Sequence, residues 1–239
     1  MRVPDFLIIG AQKCGTTAAM SHLGRHPHIG FNATQGDNRE VHFFDRDDRW
    51  AAGVEWYLRQ FPTPAPMLGE KTPNYFRPAA IERIAQTLPH ARLIVLLRDP
   101  VKRAYSQWNH FNQQPAAAGW GWRVRAFEQM IEERPALLEL GHYDDALAAL
   151  YGHFPRSQIH VEISERAWRS PAAAYDRLFR FLGLSPIEFG GYARVHARTY
   201  LQRLDGDTRA RLNEYFAPRV QRVQALLDDP LPEWDAWAQ

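Results

Sequence analysis

Asp5-Phe-Leu-Ile-Ile-Gly10-Ala-Gln-Lys-Cys-Gly15-Thr-Thr17 joins three signals in direct succession. The apolar run Phe6 to Ile9, closed by Gly10, has the pattern of a strand buried on both faces, as in a parallel sheet. A glycine-bearing turn follows. A helix over 16–25 comes next and must stop before Pro27. Strand, glycine loop and helix together make a frame that suits an anion. Glycines let backbone N–H groups approach, and a helix N-terminus adds unpaired donors and partial positive charge. An ordinary glycine turn uses the same residues, so the loop alone leaves the function open.

Outward from this stretch, Arg92-Leu-Ile-Val-Leu-Leu97 is the clearest central strand. Asp99-Pro100 then opens a helix through about Asn112, proline being favoured in a first turn. Met67 to Glu70 and Ser157 to Ile163 fit further strands. Helices are expected over 51–60, 78–87, 124–133, 142–152, 171–182 and 206–227; Tyr143, Ala146, Leu147, Leu150 and Tyr151 recur at helical spacing. Residues 113–122 form a loop, and 188–204 carry few signals. The stretch 29–48 is polar and irregular apart from Val41-His-Phe-Phe44. The alternation predicts one α/β domain over residues 1–239, with a mainly parallel central sheet flanked by helices and a P-loop-like strand–loop–helix.

The 239 residues are 45% hydrophobic and 23% charged, enough for a full core, and a net charge of +2 argues against a polybasic nucleic-acid binder. The one cysteine, Cys14, allows no internal disulfide and fits a reducing compartment. Phe6 to Ile9 is too short for a signal core or a membrane span. The expectation is therefore a cytoplasmic protein without stable membrane insertion or a nucleic-acid partner. No His, Cys and carboxylate cluster has metal-ligand spacing, so no metal is expected.

A nucleotide kinase needs Gly-x-x-x-x-Gly-Lys-[Ser/Thr]. Here Thr16 stands where that lysine belongs, and the lysine lies inside the loop, at Lys13. This arrangement resembles the 5'-phosphosulfate loop of sulfotransferases that use 3'-phosphoadenosine-5'-phosphosulfate (PAPS), and most of all the heparan-sulfate and carbohydrate branch. Three more segments resemble that branch in the same order. They are Glu40-Val-His-Phe-Phe-Asp45, Glu70-Lys71-Thr-Pro-Asn-Tyr-Phe76, and Leu97-Arg98-Asp-Pro-Val-Lys-Arg-Ala-Tyr-Ser106. Gly141-His-Tyr143, Phe154-Pro155 and Arg198-Thr199 extend the resemblance over most of the chain.

The resemblance implies transfer of a sulfuryl group from PAPS to a hydroxyl or amine on a small-molecule or glycan acceptor, with PAP (3'-phosphoadenosine-5'-phosphate) as product. Gln12, Lys13, Cys14, Gly15, Thr16 and Thr17 would hold the 5'-phosphosulfate. Arg98 and Ser106 would bind the 3'-phosphate through charge-assisted bonds. Arg198 and Thr199 match the end of a loop that closes over PAPS. Glu40 would be the general base, since a hydroxyl attacks well only as its proton leaves. Lys13 would meet charge on the bridging oxygen, and Lys71 would lie by the sulfuryl group or hold Glu40. His110 shares a helical face with Ser106 and matches a histidine near the acceptor in the N-sulfotransferase members, a resemblance that implies a catalytic role for it beside Glu40, Lys13 and Lys71. Trp108, Trp120 and Trp122 fall beside it and would carry the acceptor with His110, a loop pair of tryptophans suiting a sugar ring or an apolar aglycone.

The chain departs from the branch in two places. His196-Ala-Arg198-Thr199 lacks the lysine and glycine of the closing loop, and a single cysteine excludes the disulfide-paired hairpin of the animal members. The aromatic contact to adenine is therefore open, Tyr192 being one candidate. A missing Golgi anchor favours a glycoside, lipid precursor or natural product over heparan sulfate. A non-catalytic nucleotide-binding module would keep Arg98 and Ser106 but have no use for Glu40, Lys71 and His110.

Overall fold

The computed structural model describes residues 2–32, 40–61, 64–119, 121, 123–188, 191–192 and 199–235. In chain order the first elements are β1 (Phe6–Gly10), α1 (Thr16–Leu23), β2 (Ile29–Phe31), α2 (Asp47–Ala51), α3 (Val54–Leu58), β3 (Met67–Lys71), α4 (Pro78–Thr87), β4 (Arg92–Leu97) and α5 (Pro100–Gln113). They are followed by α6 (Phe127–Glu133), α7 (Ala136–Glu139), α8 (Tyr143–His153), β5 (Ile159–Ile163), α9 (Ser164–Arg169), α10 (Pro171–Leu182), α11 (Gly206–Leu227) and α12 (Pro232–Asp235). A 3-10 turn, Pro73–Tyr75, links β3 to α4.

These elements fall into two compact units, residues 1–97 with 148–195, and residues 98–147 with 196–239. The first holds the sheet. Its five strands run in the order β2-β3-β1-β4-β5, every pair parallel. This is the α/β fold with a parallel sheet flanked by helices that the alternation predicts. β1 is buried throughout, and β4 is buried from Leu93 to Leu97, which is why both read as unbroken apolar runs. The connections from β1 lead towards β2 and those from β4 towards β5. The order thus reverses between two adjacent strands, and in open α/β sheets ligands bind at the carboxyl ends of such strands. The loop 11–15 leaves β1 at that end.

In the second unit, α5 supplies the organising face. Val101, Ala104, Tyr105 and Trp108 recur at i, i+3, i+4 and i+7 and pack with Phe127 and Phe216 in one apolar core. Asp99 caps α5, its carboxylate accepting from the amides of Val101 at 2.8 Å and Lys102 at 3.0 Å.

Two local expectations are corrected, and two further features appear. Ile29–Phe31 is a strand inside the stretch expected to be irregular; three residues are too few for periodicity to register. The helix expected over 51–60 is split into α2 and α3 at Gly53, whose φ of 83° ends the first helix. Within the run Val41 to Phe44 the residues Val41, Phe43 and Phe44 are buried, and residues 43–45 form a turn. Ala136–Glu139 adds a short helix.

Candidate active site

The loop after β1 is fastened by its own chemistry. Gly10 lies against Phe76, whose Cβ would stand 2.3 Å from a Cβ at position 10, so no side chain fits there. The Ala11 amide donates to the Leu96 carbonyl at 2.8 Å, and the Gln12 side-chain amide donates to Asn74 Oδ1. Cys14 is buried; its carbonyl accepts from Ser164 Oγ at 2.8 Å, which makes it a packing residue of the loop. Gly15 caps α1 with φ 90°, a conformation that glycine adopts without strain. Thr16 is buried at the helix start and Thr17 half-buried beside it. First-turn amides of a helix have no intrahelical partner, and α1 carries no acidic side chain in its first turn to compete for them. The donor set of Lys13, Thr16, Thr17 and these amides therefore fits a phosphosulfate or phosphate group.

Glu40 and Lys71 meet in the same unit. Lys71 is fully buried at the end of β3, and its Nζ donates to Glu40 Oε1 at 2.7 Å. The other carboxylate oxygen faces His42 Nε2 at 3.1 Å, and His42 Nδ1 faces Asp45 Oδ2 at 2.9 Å. The result is a chain of alternating charge, Lys71–Glu40–His42–Asp45. The bond to Asp45 and then that to Glu40 push the His42 pKa up to about 9, so the imidazole is cationic at neutral pH. Burial works to raise the pKa of Glu40, but the bonds from His42 and Lys71 outweigh it and hold the carboxylate below its ordinary range. Glu40 is thus ionised and able to accept a proton, in a setting where its two cations can take up charge. His42 and Asp45 were not among the residues singled out from sequence. Both lie within Glu40-Val-His-Phe-Phe-Asp45, and the turn at His42, φ 54°, brings them together.

The His42 ion pairs predict a pH effect on stability. The folded pKa stands above the ordinary 6.5, so the contribution is complete below about pH 6.5 and is lost as pH rises through about 9. Because the ring is partly exposed, screening leaves an effect on the order of 1–3 kcal/mol. Urea titrations at pH 6.5 and 9.5 should show wild type losing more stability over this interval than His42→Gln. Equal losses in the two proteins would show that the paired imidazole does not add to stability.

The second unit places Arg98 directly before α5 and Ser106 within it. Arg98 Nη2 donates to the Tyr200 hydroxyl at 3.2 Å, and its carbonyl accepts from Tyr143 Oη at 3.0 Å. His110 lies one turn beyond Ser106, partly exposed. Thr199 is exposed; its carbonyl accepts from Asn109 at 3.2 Å and Gln113 at 2.8 Å. Trp108, expected against an acceptor, belongs to the core of this unit, which is a correction. It is 1% exposed, stacks on Tyr105 at 4.7 Å, and gives its indole N–H to the Arg125 carbonyl at 2.8 Å. Tyr192, in the first unit, stacks on Tyr175 at 5.5 Å and His22 at 5.6 Å. Trp120, Trp122 and Arg198 lie outside the described residues. Among the described residues no group of three His, Cys, Asp or Glu side chains could hold a metal ion, and no helix is long and apolar enough to cross a membrane.

Comparison with known proteins gives this arrangement its class. Residues 3–215 match the family described as the sulfotransferase domain, and the chain belongs to that family. Bifunctional heparan sulfate N-deacetylase/N-sulfotransferase 3 of Mus musculus is 29% identical over 279 residues, covering 98% of this chain and 31% of that protein. Bifunctional heparan sulfate N-deacetylase/N-sulfotransferase 1 of Caenorhabditis elegans is 31% identical over 221 residues, covering 87% of this chain and 25% of that protein. The chain therefore spans about a third or less of the length of these curated relatives. The crystal structure of a sulfotransferase from Alicyclobacillus acidocaldarius shares the fold, with a TM-score of 0.82 at 23% identity, covering 98% of this chain and all of the other.

Proposed function

We propose that this chain moves the sulfuryl group of PAPS to a hydroxyl or amine on a carbohydrate, lipid or natural product, residues 1–239 serving as one sulfotransferase domain. The observation that carries the proposal is the Lys71–Glu40–His42–Asp45 chain, in the same compact unit as the anion-binding loop. In-line transfer asks a protein for positioning and charge neutralisation, as phosphoryl transfer does. Glu40 takes the acceptor's proton. Lys13 meets the charge that gathers on the leaving oxygen. Lys71 holds Glu40 and neutralises oxygen charge beside it. Gln12, Cys14, Gly15, Thr16 and Thr17 shape the cradle for the 5' group, Arg98 and Ser106 take the 3'-phosphate, and Arg198 and Thr199 close over the nucleotide. His110, Trp120 and Trp122 orient the acceptor. The relatives named for N-sulfotransferase activity on heparan sulfate make an amine on a glycan a natural acceptor to test. Lysines and amides cover the oxygens, so no metal is called for. The single buried cysteine suits the cytoplasm.

The test is binding of PAP in the presence of a chelator. At about 100 times its dissociation constant PAP should add roughly 2.7 kcal/mol to stability. Arg98→Ala should weaken PAP by roughly 10- to 100-fold, the worth of a charge-assisted bond of about 1.5–3 kcal/mol. It should leave adenosine 5'-phosphosulfate, which lacks the 3'-phosphate, nearly unchanged. Equal losses for both ligands would remove Arg98 from the 3'-phosphate, and stabilisation by ATP with magnesium but not by PAP would favour a kinase.

A further inference from the structure

One buried carboxylate takes no part in the chemistry above. Glu70 precedes Lys71 on β3 and is 0% exposed, and burial raises its pKa to about 7. Three hydroxyls donate to it. Tyr57 reaches Oε2 at 2.5 Å, while Tyr75 and Thr72 reach Oε1 at 2.7 Å and 2.9 Å. A hydroxyl has a single proton and two lone pairs. Thr72 and Tyr75 spend their protons on Glu70, so towards other neighbours they can only accept. Those neighbours are the Val41 amide, which donates to Thr72 Oγ1 at 3.1 Å, and the Phe43 amide, which donates to Tyr75 Oη at 2.8 Å.

These two amides flank His42, whose left-handed backbone is uncommon for a residue with a side chain. The neighbouring carbonyls are held as well. That of Val41 accepts from Arg49, and that of Phe44 accepts from Arg83 at 3.2 Å. The turn that carries Glu40 and His42 is thus gripped by backbone bonds on both sides of the strained residue. Strain of this kind persists only where surrounding bonds over-determine it.

We infer that Glu70 is a positioning residue. By taking the hydroxyl protons of Thr72 and Tyr75 it aims their lone pairs at the amides of Val41 and Phe43, and so holds Glu40 and His42 against Lys71 and Asp45. The inference rests on the reading of Glu40 as the base. An apolar side chain at position 70 would leave three buried hydroxyl protons unmatched, those of Tyr57, Thr72 and Tyr75, so the hydroxyls of Thr72 and Tyr75 would turn and the grip would be lost. Glutamine would keep it, since its carbonyl oxygen can take Thr72 and Tyr75 while its amide nitrogen faces Tyr57.

The experiment is an NMR pH titration of the His42 imidazole, assigned by its loss in His42→Gln, with PAP binding measured on each variant. Among the described residues the charged groups paired with this ring are Glu40 and Asp45, so its titration reports whether the turn keeps its register. Thr72→Val, Tyr75→Phe and Glu70→Leu should each lower the proton affinity of His42 at least about tenfold, towards the free-histidine value. Tyr57→Phe, which keeps the ring stacked on Phe43 and removes only the bond to Glu70 Oε2, and Glu70→Gln should titrate like wild type. PAP affinity should hold within about threefold throughout, because the loop is untouched. If Glu70→Leu fails to fold, Thr72→Val and Tyr75→Phe decide the matter. Folded variants that lose melting temperature while His42 titrates as in wild type would overturn the inference, and so would Glu70→Gln falling as far as Glu70→Leu. Failure of wild type to bind PAP would instead strike the sulfotransferase roles and leave this test readable.

Discussion

Glu40→Gln should bind PAP nearly as wild type does and lose roughly 10²–10⁴ in turnover, the usual worth of a general base. The substitution preserves shape and removes one charge and the proton acceptor. It also sets a specific conflict. Glu40 accepts from Lys71 on one oxygen and from His42 on the other. A glutamine has a single oxygen, so one of the two cations would meet an N–H. His42 is the one that can yield, by giving up its Nε2 proton and accepting instead. The variant should therefore show a His42 pKa well below about 9. Two readouts separate the outcomes. Turnover is followed by PAP release with whichever member of an acceptor panel wild type sulfates, and nucleotide affinity by titration. Normal turnover together with a lowered His42 pKa would show that Glu40 organises the turn without acting as base. An acceptor amine that sheds its proton unaided would then be favoured.

The legible part of the fold is the part buried on both faces. β1 and β4 read as unbroken apolar runs because parallel strands under helices have no solvent face. β2 escaped because three residues carry no period, and α2–α3 merged because the break is a single positive φ at Gly53. In the site, Glu40, Lys71 and the loop were legible through residue order. Their neighbours were less so. His42 and Asp45 stand two and five residues after Glu40, a spacing that puts all three on no single face of one helix or strand. A left-handed residue folds them together, and pattern rules do not anticipate that. Glu70 did leave a signal, a carboxylate inside an apolar strand with a threonine and a tyrosine close behind it. Such a group is retained only when hydroxyls or cations satisfy it. Trp108 left one too. Its i, i+3, i+4, i+7 stripe with Val101, Ala104 and Tyr105 is the mark of a core face, and the structure puts the ring there.

Lys71→Met should separate chemistry from stability most sharply. Stranding a buried charge typically costs about 3–5 kcal/mol, and at first sight the same loss is due here. Two features reduce it. Glu40 keeps His42 as a partner and is partly open to solvent, so it is not left alone in the dry interior. The methionine replaces an ammonium that is fully buried at the end of β3, and removing that desolvation penalty offsets the lost attraction. The melting temperature should therefore stay close to that of wild type. Turnover should not. Loss of one preorganised cation beside developing oxygen charge costs roughly 10²–10³ in rate. The pH profile carries the sign of the change. Lys71 is among the groups that hold the Glu40 pKa down, so its removal raises that pKa. Glu40 must be ionised to act as base, so the acid limb of the kcat profile should move to higher pH. A variant that melts far lower yet turns over within a few-fold of wild type, with its acid limb in place, would make Lys71 a packing residue. It would also sever the link between Glu40 and the reaction that the buried ion pair implies.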